Sequence, residues 1–158
     1  MTEGTIWTIL QDVKDPEIPT VSLVEMGMVN KVSVANGLVN IEVLPTFVGC
    51  PALEIMKRNI VEKLTPVDGI TEVQVKFVFE PAWSSDRITE VGREKLTAFG
   101  IAPPPQSDLL QLEEIWEVTC PFCGSEKTRM DNLFGPAACR SILYCEQCKN
   151  PFEAMKPV

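Results

Sequence analysis

Cys120-Pro121-Phe122-Cys123-Gly124 and Cys145-Glu146-Gln147-Cys148-Lys149 repeat one short pattern, and its reading decides the fold of the chain's last third. A C-x2-C turn brings two thiolates to one ion, and two such turns supply a closed set of four sulfurs, the donor set of structural zinc. The knuckles are separated by 21 residues, slightly more than is usual for such sites. Asp131-Asn132 and Gly135-Pro136 offer turns within that gap, between segments able to form a hairpin. Iron in the same four-sulfur geometry is the alternative metal. Four thiolates leave no open coordination position, so the ribbon reads as a scaffold or docking surface and not as a reaction centre. A module this small also needs a staple to fold.

Outward from the knuckles, the 158-residue chain is 45% hydrophobic and 23% charged, which suits a globular protein of one core plus a small module. No stretch has the apolar length of a membrane helix. The opening Met1-Thr2-Glu3-Gly4 has neither the basic start nor the apolar block of a secretory signal, so the expected compartment is the cytoplasm. In that setting six cysteines favour metal binding over disulfides. The chain has no histidine, which excludes Ser–His and Cys–His catalytic pairs within it. Net charge is -8, and an acidic chain is a poor binder of nucleic acid, whose phosphates demand cations. Residues 1–100 hold 14 acids and 9 bases, while residues 117–158 hold 5 of each. The ribbon therefore has no basic surplus with which to grip phosphates.

Composition changes at Gly100, after which Ile101-Ala102-Pro103-Pro104-Pro105 begins a stiff, proline-rich stretch. We expect a first domain over 1–100, a linker over 101–116 and the ribbon over 117–158. In the first domain Ile6, Ile9, Leu10 and Val13 mark a helix face, ended by Asp15-Pro16. Val32 and Val34 alternate before Asn36-Gly37, a two-residue hairpin signal, and Val39, Ile41 and Val43 return. Leu53, Met56, Ile60 and Leu64 mark a second helix. Val73, Val75, Phe77 and Phe79 alternate as a third strand. Ile88, Val91, Leu96 and Phe99 define the inward face of a last helix. The predicted fold class is α+β, an αββαβα domain followed by a β-rich zinc ribbon.

Two cysteines stand outside the knuckles. Cys50 lies in Thr46-Phe47-Val48-Gly49-Cys50-Pro51, between a strand and a helix. With Pro51 at the first helical position, Cys50 falls at the N-cap, where free N–H groups and the helix dipole favour a thiolate. The competing reading is inert core. Cys139 sits beside Arg140 on the second half of the ribbon, as a half-buried side chain or as an extra thiol for metal exchange or partner contact.

Asp15-Pro16-Glu17-Ile18-Pro19, Met26-Gly27-Met28-Val29, the Thr46…Cys50-Pro51 turn and Pro81-Ala82-Trp83 occur in the order seen in SufT-type iron–sulfur-assembly domains. With Gly92-Arg93-Glu94-Lys95-Leu96, Gly100-Ile101-Ala102-Pro103-Pro104 and the ribbon, the whole chain resembles the PaaD-type accessory subunits of the bacterial phenylacetyl-CoA epoxidase system. The resemblance implies a helper in phenylacetate degradation that matures an iron–sulfur or iron centre and does not itself catalyse epoxidation. It implies Cys50 as the functional thiol, with Asp15 and Glu17 matching the family's acidic motif. It implies structural zinc, a transient iron or iron–sulfur cargo, and oxygenase or reductase subunits as partners. A single thiol cannot hold a cluster that needs four cysteine ligands. That leaves three possibilities open: a homodimer sharing a cluster, ligands from a partner, or a role for Cys50 other than ligation. The second functional reading is a non-catalytic structural subunit of the same oxygenase.

Overall fold

The computed structural model describes residues 1–104 and 118–157. The chain divides into two compact units, Met1–Trp83 with Arg87–Gly92, and Ser84–Asp86 with Arg93–Val158.

In the first unit, α1 (Glu3–Leu10) is capped by Thr2, whose hydroxyl accepts from Thr5 N–H, and it buries Ile6 and Leu10. β1 (Val29–Ala35) and β2 (Leu38–Val43) form the antiparallel hairpin that Asn36-Gly37 predicts. β2 buries Val39, Ile41 and Val43, every second residue, as a strand with one covered face must. α2 (Leu53–Leu64) then crosses over to β3 (Glu72–Phe77), which pairs parallel with β2, so the sheet order is β1-β2-β3. Met56, Ile60 and Leu64 supply α2's buried face. The element order is the expected αββαβα, completed by α3 (Glu90–Phe99), whose residues from Arg93 onward fall in the second unit.

Residues 21–28, between α1 and β1, form no helix or named strand, yet Val21, Ser22, Leu23, Met26 and Met28 are all buried. Hydrogen bonds from far along the chain hold this segment. Trp83 Nε1 donates to Met26 O at 2.8 Å and Arg87 Nε to Gly27 O at 2.8 Å. Gly27 has φ +67°, and a Cβ there would stand 2.2 Å from Arg87 O, so glycine is required twice over. The Met26-Gly27-Met28 and Pro81-Ala82-Trp83 motifs are thus two sides of one packing contact.

In the second unit, β4 (Ile101–Ala102), β5 (Thr128–Asn132), β6 (Arg140–Cys145) and β7 (Pro151–Met155) form a sheet of order β4-β7-β6-β5. β4 runs parallel to β7; the other pairs are antiparallel. Its small core gathers Ala102, Val118, Leu143, Phe152 and Ala154 around Cys120 and Cys145.

Four expectations change. Ile101 and Ala102 are a buried edge strand of the ribbon's sheet and not linker, because two apolar residues after Gly100 bury better than they span. Linker residues 105–116, with 117, lie outside the described residues. Val91 (49% exposed) and Phe99 (45%) point outward from α3, where Leu96 is buried, and Ile88 is buried ahead of the helix and not on it, since periodicity fixes a stripe's spacing but not which residues it reaches. Phe79 lies beyond the end of β3 and is exposed. Asp131 and Asn132 complete β5 across a register shift, and Asn132 Oδ1 then accepts from Phe134 N–H to turn the chain.

Candidate metal centre and thiol site

The two knuckles fold alike because each closes the same pair of backbone bonds. Gly124 N–H donates to Cys120 O and Cys120 N–H to Ser125 O, both at 2.9 Å. Lys149 N–H donates to Cys145 O and Cys145 N–H to Asn150 O, both at 3.0 Å. The result is that the sulfurs of Cys120, Cys123, Cys145 and Cys148 all lie within 4.8 Å of one another. Cys120 Sγ is 3.8 Å from Cys148 Sγ, and Cys123 Sγ is 3.5 Å from Cys145 Sγ. Tetrahedral zinc with bonds of about 2.3 Å sets its sulfurs about 3.8 Å apart, so the donor set fits that ion.

The N–H of Cys148 donates to Cys145 Sγ at 3.5 Å. Donation from the Cys148 and Gln147 N–H groups, opposed by burial, brings the Cys145 thiol down to about 6. Cys123 moves the other way, to about 11. Ser125 N–H favours its thiolate, but desolvation and the neighbouring sulfurs of Cys145, Cys120 and Cys148 outweigh that. Four thiols this close cannot all ionise unaided; a divalent cation supplies the missing positive charge and holds the two knuckles together.

The second constellation lies in the first unit. Asp15 is buried at the start of a tight turn, its Oδ1 accepting from Glu17 N–H at 2.8 Å and Ile18 N–H at 3.1 Å. Cys50 is half-buried on the loop from β2 to α2, next to Gly49 and Val48, the latter 79% exposed. The charges of Glu17 and Asp15, on the loop that follows α1, both act on the Cys50 thiol, on the loop from β2 to α2. Thr46 is half-buried on the same loop as Cys50.

The expected N-cap placement does not hold. α2 starts at Leu53 with Ala52 as its cap, because Pro51-Ala52 complete a turn before the helix begins. Only one N–H, that of Ala52, favours the Cys50 thiolate. Burial pushes the thiol up, Glu17 and Asp15 push it further, and the net shift is upward, opposite to the sequence expectation.

Cys139 is half-buried just before β6 and outside the four-sulfur cluster. Arg140 Nη1 is engaged with Glu153 Oε2 at 2.6 Å. Lys156 secures the loop before β6, its N–H donating to Cys139 O at 2.9 Å and its amine to Ala138 O at 3.0 Å. A pair that sequence reasoning passed over is Ser22 and Glu25, whose side chains exchange hydrogen bonds with each other's N–H at 3.0 and 2.8 Å. Its S-x-x-E spacing is a visible signal, normally read as the start of a helix.

Comparison with known proteins matches this division. Residues 3–77 match the family described as iron–sulfur cluster assembly protein, and residues 104–156 match the PaaD zinc beta ribbon domain. A protein of Escherichia coli strain K12, provisionally named as a subunit of 1,2-phenylacetyl-CoA epoxidase, is 39% identical over 153 residues, 96% of this chain and 90% of that one. An Fe-S protein maturation auxiliary factor of Porphyromonas gingivalis is 34% identical over 90 residues, 56% of this chain and 85% of that one. Among solved structures, a domain of unknown function, DUF59, from Bacillus anthracis superposes with a TM-score of 0.56 at 29% identity, covering 60% of this chain and 90% of that one. The chain belongs to the PaaD family, in which an iron–sulfur cluster assembly domain related to maturation factors is joined to a zinc β-ribbon.

Proposed function

We propose that this protein is a non-catalytic maturation factor that assists assembly of an iron–sulfur or iron centre in the phenylacetyl-CoA epoxidase complex, acting in the cytoplasm. The observation that carries the reading is a half-buried thiol, Cys50, under the charge of two carboxylates, in a chain whose likeness to a provisionally named epoxidase component runs almost end to end. An autonomous thiol nucleophile would want its pKa depressed by cations or a base, and Cys50 has the reverse. A cation-accepting thiol behaves as this one does. Burial, reinforced by the charges of Glu17 and Asp15, holds its proton more tightly than in a free thiol, and those charges attract a metal cargo. Binding then replaces the proton: the S–H bond breaks, an S–metal bond forms, and one proton leaves to solvent. Cys50 supplies one ligand, and the remainder come from an oxygenase or reductase subunit or from a second copy. The zinc ribbon contributes rigidity and surface, not chemistry.

The test is Cys50→Ser expressed in cells with the epoxidase components. We expect normal zinc content and fold in the variant, and epoxidase that lacks its full iron complement. Normal epoxidase iron in those cells would sink the proposal and leave the second reading, a structural subunit indifferent to Cys50.

A further inference from the structure

Among the described residues, the two sheets end on four edge strands, β1 and β3 in the first and β4 and β5 in the second. An edge offers unpaired N–H and C=O groups to any strand that meets it, and proteins blunt such edges with bulges or by keeping them short. The pairing of β1 with β2 shifts register between Val29 and Lys31, and that of β5 with β6 between Met130 and Asn132. β4 has only two residues. β3 differs: it pairs with β2 through six residues without a shift, and among the described residues no strand covers its other side.

Glu72 N–H donates to Gly37 O at 3.4 Å and Val78 N–H to Val43 O at 2.9 Å, so even-numbered residues of β3 turn their backbone toward β2. By alternation, Val73, Val75 and Phe77 turn theirs outward. Their side chains point to the covered face, Val75 buried and the other two half-buried. Glu72, Gln74 and Lys76 share the opposite face, where Glu72 and Lys76 are exposed and Gln74 Nε2 donates to Glu72 Oε1 at 2.7 Å. Across the strands of that face, the row Lys31-Glu42-Lys76 alternates in sign and reaches the edge on a cation. The row Ala35-Leu38-Glu72 reaches it on an anion.

We propose that the outer edge of β3 pairs with the same edge of a second copy of this chain, antiparallel about a two-fold axis at Gln74. Glu72 of each copy then stands opposite Lys76 of the other, so both charged rows continue with alternating sign. On the covered face Val73 meets Val75 of the second copy, and these are the residues whose backbone groups face outward. Centring the pair on Val73 or Val75 instead sets both charges against neutral residues, Gln74 with Ile70 or Val78, so the charges select the register.

The Cys50 loop leaves the C-terminal end of β2, to which β3 runs parallel. Antiparallel pairing points the two C-terminal ends away from each other, so the two thiols do not meet. Only this consequence rests on the maturation reading: the further ligands of Cys50 then come from an oxygenase or reductase subunit and not from the second copy.

The experiment is sedimentation equilibrium of the full-length, zinc-loaded protein over a range of concentrations. Six residues a side make a small contact, so we expect a reversible dimer with a dissociation constant on the order of tens of micromolar. Glu72→Lys and Lys76→Glu each set like charges opposite and should each weaken association about tenfold. Mixed in equal amounts, the two variants present complementary edges and should associate as wild type does, which also shows that both are folded. Val73→Pro removes an outward N–H without touching the β2 ladder and should weaken the dimer at an unchanged melting temperature. A wild-type monomer up to about 1 mM overturns the proposal. So does wild-type association in both charge variants, or a mixture no tighter than its parts. A monomer whose β3 amides gain exchange protection only when an epoxidase subunit is added would also overturn it, giving the edge to that subunit. Normal epoxidase iron in Cys50→Ser cells would instead defeat the maturation reading and leave the pairing standing.

Discussion

Cys50 shows how far one residue's neighbours can reverse a local inference. Read along the chain, a cysteine before proline at the mouth of a helix should be acidic. In the fold it is partly desolvated and feels the charge of two carboxylates, so its proton is held more tightly. Nothing local encodes that meeting, because it depends on where a second loop is placed. The four ribbon ligands were legible for the opposite reason: each knuckle's geometry is contained within six residues. Glu17 offers the cleaner probe of the carboxylate effect, since Asp15 also ties its own turn through two N–H groups. Glu17→Gln removes a negative charge near the sulfur, which lowers the Cys50 pKa. We expect alkylation near neutral pH to rise about twofold, with the curve moved toward acid by a few tenths of a unit. An unchanged or alkaline-shifted curve would show that Glu17 does not act on the thiol.

At the scale of elements, the two knuckles are near-copies that differ at one informative position. Gly124 has φ +75° and Lys149, its counterpart, has φ +63°. Glycine enters that region freely, whereas a side chain is strained there by roughly 1–2 kcal/mol. A Cβ built on Gly124 meets nothing within 4 Å, so strain is the only penalty for filling it. Gly124→Ala should therefore destabilise the ribbon by about 1 kcal/mol and Lys149→Gly should stabilise it by about the same amount, measured by chemical denaturation of the zinc-loaded protein. Equal and opposite effects are the expected signature; a destabilising Lys149→Gly would contradict the argument. Helices and strands themselves were largely readable, because spacings of two and of three to four residues survive in the sequence. What was not readable was phase. Val91 and Phe99 fit the apolar spacing of α3 yet lie on its exposed side, since tertiary packing alone selects which face is covered. Ser22 and Glu25 were missed because their spacing announces a helix that the chain does not make.

Across the whole molecule, the two units draw stability from different sources. The first buries α1, α2 and one face of a three-stranded sheet, with Ile6, Leu10, Ile41, Ile60 and Leu64 fully or almost fully enclosed. The second has a short core in which Cys120 and Cys145 are themselves members, so its packing and its metal site are one feature. Removing zinc from such a site leaves four crowded thiols and little apolar area to hold the strands. Acid should do the same. Zinc takes thiolates, so protons compete with it, and affinity rises with pH until the thiols are ionised. With Cys145 at about 6 and Cys123 at about 11 in the metal-free site, affinity should climb steadily between those values and fall steeply below the lower one. Hydrogen exchange after chelation distinguishes the units. Amide protection should vanish in β5, β6 and β7 and persist in β1, β2 and β3. Loss of protection in both sheets together would mean that the zinc ribbon stabilises the assembly domain as well, and the separation of their energetics would have to be abandoned.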